Sequence, residues 1–242
     1  MYGEIIFYVL LLMVSFLYAS VGHGGASGYL ALMAFFSYPV DLMRPTALLL
    51  NIFVSAIAFW QYYRGGYFRW KLFLPFAVAS VPAAFLGGGM TLDDHIYKKV
   101  LAVLLLLPAI RLLGFGIKDG SIREQNVFVS VMSGSAIGLI SGMIGIGGGI
   151  ILSPLILMLH WADMKQTAAV SALFIFVNSI AGLSGVFANG TDFTSSAIVM
   201  TCVAVVGGWG GSYLGANKFN TDMLKKLLSL VLIIAAAKLF YT

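Results

Sequence analysis

Two glycine clusters interrupt the most apolar parts of this chain. Gly22, Gly24 and Gly25 lie in "GHGGASGYLALMAFF", and Gly145, Gly147, Gly148 and Gly149 lie in "GIGGGIILSPLILML". A glycine in a helix interior costs about 1 kcal/mol relative to alanine, so a cluster needs a reason. These glycines lack helical spacing, which suits a tight reversal better than packing between helices. A reversal of this kind leaves backbone N–H groups uncovered, and successive N–H groups form a nest for an anion. The segment that restarts after the turn adds the half-positive end of a helix. The chemistry indicated is the binding of a small anion. A nucleotide-phosphate loop is a poor match, because the Lys-Ser/Thr ending of such a loop is missing.

Small polar residues accompany the clusters. His23 stands inside the first turn, where the second has Ile146. Its imidazole offers a donor to an oxyanion and an ionisable group for proton coupling, or it bonds a local carbonyl. Ser27 and Ser141 flank the turns, and Ser153 precedes Pro154, where a cap or a ligand contact fits equally. Downstream come Thr46 and Asn51 after the first cluster, and Thr167, Ser171 and Asn178 after the second. Hydroxyls and amides are suitable donors to a sulfonate, or they bond between helices. Arg44, placed by Pro45 in a loop before a helix, either attracts anions or snorkels to the interface. The other positions carry bland readings: His95 and His160 at loop edges, Arg111 and Lys238 as interfacial anchors, and Cys202 as a small buried hydrophobe.

The elements that position these residues must lie in a bilayer. Of the 242 residues, 60% are hydrophobic and only 10% charged, with a mean hydropathy of +0.98. A soluble domain carries about 25% charged residues. The net charge of +5 sits in short loops and reads as a topology signal, not as a nucleic-acid surface. The aromatic stretch "FWQYYRGGYFRWK" likewise reads as an interfacial belt. Apolar stretches run over Ile5–Ser37, Pro45–Trp60, Leu72–Gly89, Ile96–Phe115, Val127–Leu159, Gln166–Ala188, Ser195–Ala216 and Met223–Tyr241. Most approach the ~20 residues of a spanning helix. Ile5–Ser37 and Val127–Leu159 are overlong, about 50 Å as continuous helix, and each holds a glycine cluster in its middle. A hairpin is expected in both, either re-entrant or made of two tilted spans.

The chain also resembles itself. Gly145 stands 123 positions after Gly22, and "FLGGGMTLDDHIYKKVLAVLLLLPAIRLL" matches "YLGANKFNTDMLKKLLSLVLIIAAAKLF". The expected architecture is therefore all-α and polytopic: one transmembrane domain over residues 1–242, with repeats over about 5–116 and 127–242. Each repeat begins with a glycine-broken hairpin followed by three transmembrane helices. The loop "RGGYFRWK" is basic, whereas its counterpart "NGTDF" is acidic, so equivalent loops are expected on opposite faces. That makes the repeats inverted, with the linker "IKDGSIREQN" inside and both termini non-cytoplasmic. Gly134, Gly138 and Gly142, with Gly207, Gly208, Gly210, Gly211 and Gly215, read as close helix packing; an alanine at 211 is expected to be tolerated.

The pattern "GxGGGxxxxP" at Gly145–Pro154, its degenerate copy "GHGGASGYLA", and the helices "RPTALLLN" and "KQTAAVSALF" resemble the sulfite exporter TauE/SafE family, also called 4-toluene sulfonate uptake permeases. The likeness covers nearly the whole chain. It implies an inner- or plasma-membrane carrier of exporter type for sulfite, sulfonates, sulfoacetate or related oxyanions, with no cofactor. The first copy departs from the pattern, with Ala26 for Gly149 and Ala31 for Pro154. Gly22, His23, Gly24, Gly25, Ser27, Thr46, Asn51, Gly145, Gly147, Gly148, Gly149, Ser171 and Asn178 are the expected substrate-binding residues. No carboxylate pair lies inside the apolar segments, so proton coupling would fall to His23, water or the substrate. An anion channel shares the glycine turns. A membrane enzyme or assembly factor is disfavoured because no Ser-His-Asp set, HExxH or cysteine cluster occurs.

Overall fold

The computed structural model describes residues 2–20, 22–112, 121–190 and 195–217, together with 233, 236 and 237. Among these residues the regular structure is entirely helical: α1 (Tyr2–Ser20), α2 (Ala26–Phe35), α3 (Val40–Arg64), α4 (Trp70–Gly89), α5 (Asp94–Leu112), α6 (Val127–Ile144), α7 (Gly149–Met158), α8 (Met164–Ala188) and α9 (Ser195–Asn217). Six of them, α1, α3, α4, α6, α8 and α9, are long and apolar enough to cross a membrane. Large side chains such as Val78 and Phe128 lie more than 70% exposed. In water that would be costly, but against lipid it is the expected outer surface. Cys202 is on this exposed surface of α9, not buried as its apolar context suggested. The expected span Met223–Tyr241 lies largely outside the described residues, as do Lys238 and the side chain of Arg111.

Both overlong stretches fold back. α2 and α7 have ten residues each, about 15 Å and only half of a ~30 Å hydrocarbon core. Ser27 Oγ donates to Tyr18 Oη and Tyr29 Oη to Ser15 Oγ. At the far end of α2, the Phe36 and Tyr38 rings lie 5.3 and 5.1 Å from that of Phe7. The short helix therefore runs antiparallel along α1 and returns to the end where α1 began. α7 likewise returns, with the His160 carbonyl accepting from the N–H of Arg123, just ahead of α6. Each hairpin thus pairs a helix long enough to cross a membrane with one about half that length.

α3 and α8 pack against each other. α4 lies along α6 and α9 along α1, while α4 also packs on α8 and α9 on α3. Two glycine ladders seat the outer pairs. Gly134, Gly138 and Gly142 of α6 meet the backbone of Phe76, Ser80 and Ala84 in α4. Gly207, Gly211 and Gly215 of α9 meet the backbone of Leu12, Phe16 and Ser20 in α1. Spacing by four puts each set on one helix face, and missing side chains let the backbones touch. The packing reading holds, but tolerance at 211 does not. A Cβ there would run into the carbonyl oxygen of Phe16, which no rotamer change can relieve.

The loops sort to two ends of the bundle. Lys165 Nζ donates to Tyr67 Oη, Arg69 to Gln166, and Gln125 to the Leu72 carbonyl. The basic loop around Arg64–Lys71 thus shares one end with residues 121–126 and the start of α8. The start of α3 and the ends of α4 and α8 share the other end, where Arg44 bonds the Met90 carbonyl and Asn189 that of Gly89. Arg44 does not sit in a loop. α3 begins at Val40 and carries Pro45 in its second turn, where Met43 already donates to Pro39 and the ring removes one helical hydrogen bond.

Candidate functional site

The glycine breaks converge at mid-height of the central helices. Gly22 lies against Tyr62 of α3 and Ala168 of α8, whereas Gly145 lies against Arg44, near the opposite end of α3. Between these levels the two breaks share neighbours. A Cβ at Gly24 would stand 2.7 Å from Asn51 Oδ1 and 2.9 Å from Ile175 Cγ2. One at Gly147 would stand 2.6 Å from Asn51 Nδ2, 2.8 Å from Ile175 Cγ2 and 3.1 Å from Ser179 Oγ. Asn51 and Ile175 are near the centres of two 25-residue helices.

At this point α2 and α7 begin, one from each break. Their N-caps, Gly25 (φ 94°) and Gly148 (φ 75°), are left-handed, a conformation that strongly favours glycine. Neither N-terminus has a side-chain cap. Among the described residues, the N–H groups of Gly24, Gly25, Gly147 and Gly148 enter no backbone hydrogen bond. α2 runs from the centre toward one end and α7 toward the other, so both half-positive termini are directed inward.

Buried polar atoms lie unpaired around these termini. Asn51 is fully buried, yet neither Oδ1 nor Nδ2 has a partner. The same holds for the hydroxyls of Ser179 and Ser141 and for Asn178 Oδ1; Thr167 Oγ1 is unpaired as well, but at the start of α8, away from the centre. Ser141 abuts Gly148. Leaving a buried polar group unmet costs about 1–3 kcal/mol, so an accumulation at one place calls for an explanation. Binding of a polar ligand is a sufficient one.

His23 reaches across to the second hairpin. Its Nε2 is 3.1 Å from Ser153 Oγ, which is 2.7 Å from Ser171 Oγ and 2.9 Å from the Gly149 carbonyl. Ser153 has a single proton. Donated to Gly149, it leaves two lone pairs, one for the Ser171 hydroxyl and one for the Nε2–H of His23. This assignment satisfies the three contacts of Ser153 with His23 as the Nε2–H tautomer.

The other expected residues divide. Gly149 packs on Ile175. Asn178 donates Nδ2 to its own helix at Phe174. Ser27 is committed to Tyr18, and the first hairpin is held together by that bond. Thr46 is buried on α3, but five residues from Asn51 puts it about 140° round the helix. Arg44 neither snorkels nor faces the glycine termini. Its guanidinium donates to the carbonyls of Gly142, Gly87, Gly88 and Met90, neutralising the C-terminal end of α4. It also lines a cavity of about 310 Å³ with Asp41, Thr91, Tyr97 and Asn189. Sequence reasoning missed Ile175 and Ser179. The signal was there: Asn51 and Ser55 are four apart, as are Ile175 and Ser179, 124 positions on.

The comparisons with known proteins agree on class. The sulfite exporter TauE/SafE family matches residues 7–239. The chain is 32% identical over 233 residues to the probable membrane transporter protein y4hK of Sinorhizobium fredii, covering 94% of each chain. It is 25% identical over 227 residues to the probable membrane transporter protein YdhB of Bacillus subtilis, covering 90% of each. No solved structure matches the chain significantly. With six apolar spanning helices and a family match over nearly its whole length, the chain belongs to the sulfite exporter TauE/SafE family and is a multi-pass membrane transporter.

Proposed function

We propose that this transporter carries a small sulfur oxyanion or organosulfonate outward across the inner or plasma membrane, by alternating access about the two glycine breaks. The observation that carries the reading is the meeting of two uncapped helix N-termini beside the unpaired amide of Asn51. Gly22, Gly24, Gly25, Gly145, Gly147, Gly148 and Gly149 shape the site, and Asn51, Ser171 and Asn178 line it with His23. Residues 5–116 and 127–242 act as inverted repeats that rock against each other. The matched pairing of α4 on α6 and α9 on α1 supports this, as does the inward direction of both short helices. His23 couples a proton to the anion through Ser153.

Burial of Asn51 favours a carrier over a channel, since an open pore would expose it. The test is transport in proteoliposomes of purified protein. Labelled sulfite or a sulfonate should be taken up faster when the same anion is preloaded on the opposite side. Flux without such trans-stimulation would make the protein a channel. Absence of flux for every sulfur oxyanion, with carboxylates transported instead, would sink the substrate assignment.

A further inference from the structure

The polar inventory of the site limits the charge and protonation of what it holds, a deduction that rests on the anion-carrier reading above. Each helix N-terminus contributes roughly half a positive charge, so α2 and α7 together offset about one negative charge. Among the described residues, the side chains that abut Gly24, Gly25, Gly147 and Gly148, such as Asn51, Tyr29, Ile175 and Ser179, carry no formal charge, and His23 adds none while it is unprotonated. A dianion would bring a second, uncompensated charge to a fully buried position, where charge is expensive.

The Asn51 amide adds a second limit. It has an NH₂ donor and a carbonyl acceptor, both unpaired and fully buried. Rotating the amide by half a turn exchanges the two but always leaves one acceptor facing the breaks. An oxyanion that offers only acceptor oxygens satisfies the NH₂ group, the Ser179 hydroxyl and the glycine N–H groups. It leaves the amide oxygen unmet and sets it against negative charge. We infer that the site selects a singly charged sulfur oxyanion bearing one hydrogen-bond donor of its own, as in hydrogensulfite or a hydroxyalkanesulfonate. The donor goes to Asn51 Oδ1 and the anionic oxygens go to the N-termini of α2 and α7.

Three ligands of nearly equal size separate these terms. Isethionate is a monoanion with an O–H, propane-1-sulfonate is a monoanion without one, and sulfoacetate is a dianion. Binding to the purified full-length protein is measured at pH 8, above the ordinary histidine range of about 6.5, by thermal shift and competition. Isethionate should bind about tenfold more tightly than propane-1-sulfonate, the order expected for one buried acceptor left unpaired. Sulfoacetate should bind more weakly than either. In Asn51→Leu the two monoanions should become equal; the wild-type series decides the question if that variant does not fold. Equal binding of isethionate and propane-1-sulfonate, or sulfoacetate as the tightest ligand, overturns the inference and leaves the anion reading intact. Failure of all three to bind overturns both.

Discussion

Gly147 lies so close to Asn51 that a Cβ on the glycine would stand 2.6 Å from the amide nitrogen. Its φ of 72° is also one that side chains rarely adopt. Gly147→Val should therefore abolish transport, with initial rates down by more than tenfold, while the protein still inserts and is recovered from membranes. Retained transport would remove the second break from the site.

The glycine ladder between α1 and α9 makes a sharper packing prediction. A Cβ at Gly211 meets the Phe16 carbonyl, whereas one at Gly210 finds the Phe16 ring at an ordinary 3.5 Å. Gly211→Ala should lower the thermal unfolding midpoint of the solubilised protein, by a cost of about 1–3 kcal/mol. Gly210→Ala should be neutral or stabilising by up to about 1 kcal/mol. Equal effects at the two neighbours would contradict the seam described.

Arg44 holds four carbonyls from α4, α6 and the α4–α5 turn. A lysine has the charge but not the planar fork of donors. Arg44→Lys should destabilise the protein by about 2 kcal/mol, since hydrogen bonds to charged groups are worth ~1.5–3 kcal/mol each and only part of the set is lost. An unfolding midpoint unchanged in Arg44→Lys would show that charge alone matters there.

His23 and Ser153 are joined across the two hairpins. If His23 takes up a proton when the anion binds, affinity for a permanently ionised sulfonate should rise as pH falls through about 6–7, the ordinary histidine range. His23→Gln keeps a donor toward Ser153 but cannot titrate. It should bind the sulfonate with that pH dependence largely gone. Identical pH profiles in wild type and variant would reduce His23 to a structural strut.

The two ends of the bundle should face different compartments. In a cysteine-free background, Gly66→Cys should react with an impermeant thiol reagent only from the cytoplasm, and Thr91→Cys only from outside. The basic loop around Arg64–Lys71 sets that orientation. Labelling of both from one side would overturn the topology.

Membrane residence and the two hairpins were legible in the sequence, because both follow from local quantities. Thirty-three apolar residues exceed one bilayer crossing, and clustered glycines mark where the helix breaks. The short helices could start only after those glycines, so their inward N-termini were legible too. Which side chains would meet there was not. Asn51 touches both Gly24 and Gly147, and His23 meets Ser153 across 130 positions. Those contacts depend on α3 and α8 packing against each other at their centres, while glycine ladders whose partners are bare backbone seat the outer pairs α4–α6 and α1–α9. Periodicity reports which face of a helix is small or polar, but not which neighbour that face will find. Arg44 shows the same limit: its charge was visible in the sequence, yet its partners are carbonyls at the ends of other helices. Even the asymmetry of the site, an amide at 51 opposite an isoleucine at 175, acquires meaning only when packing puts both against the same pair of glycines.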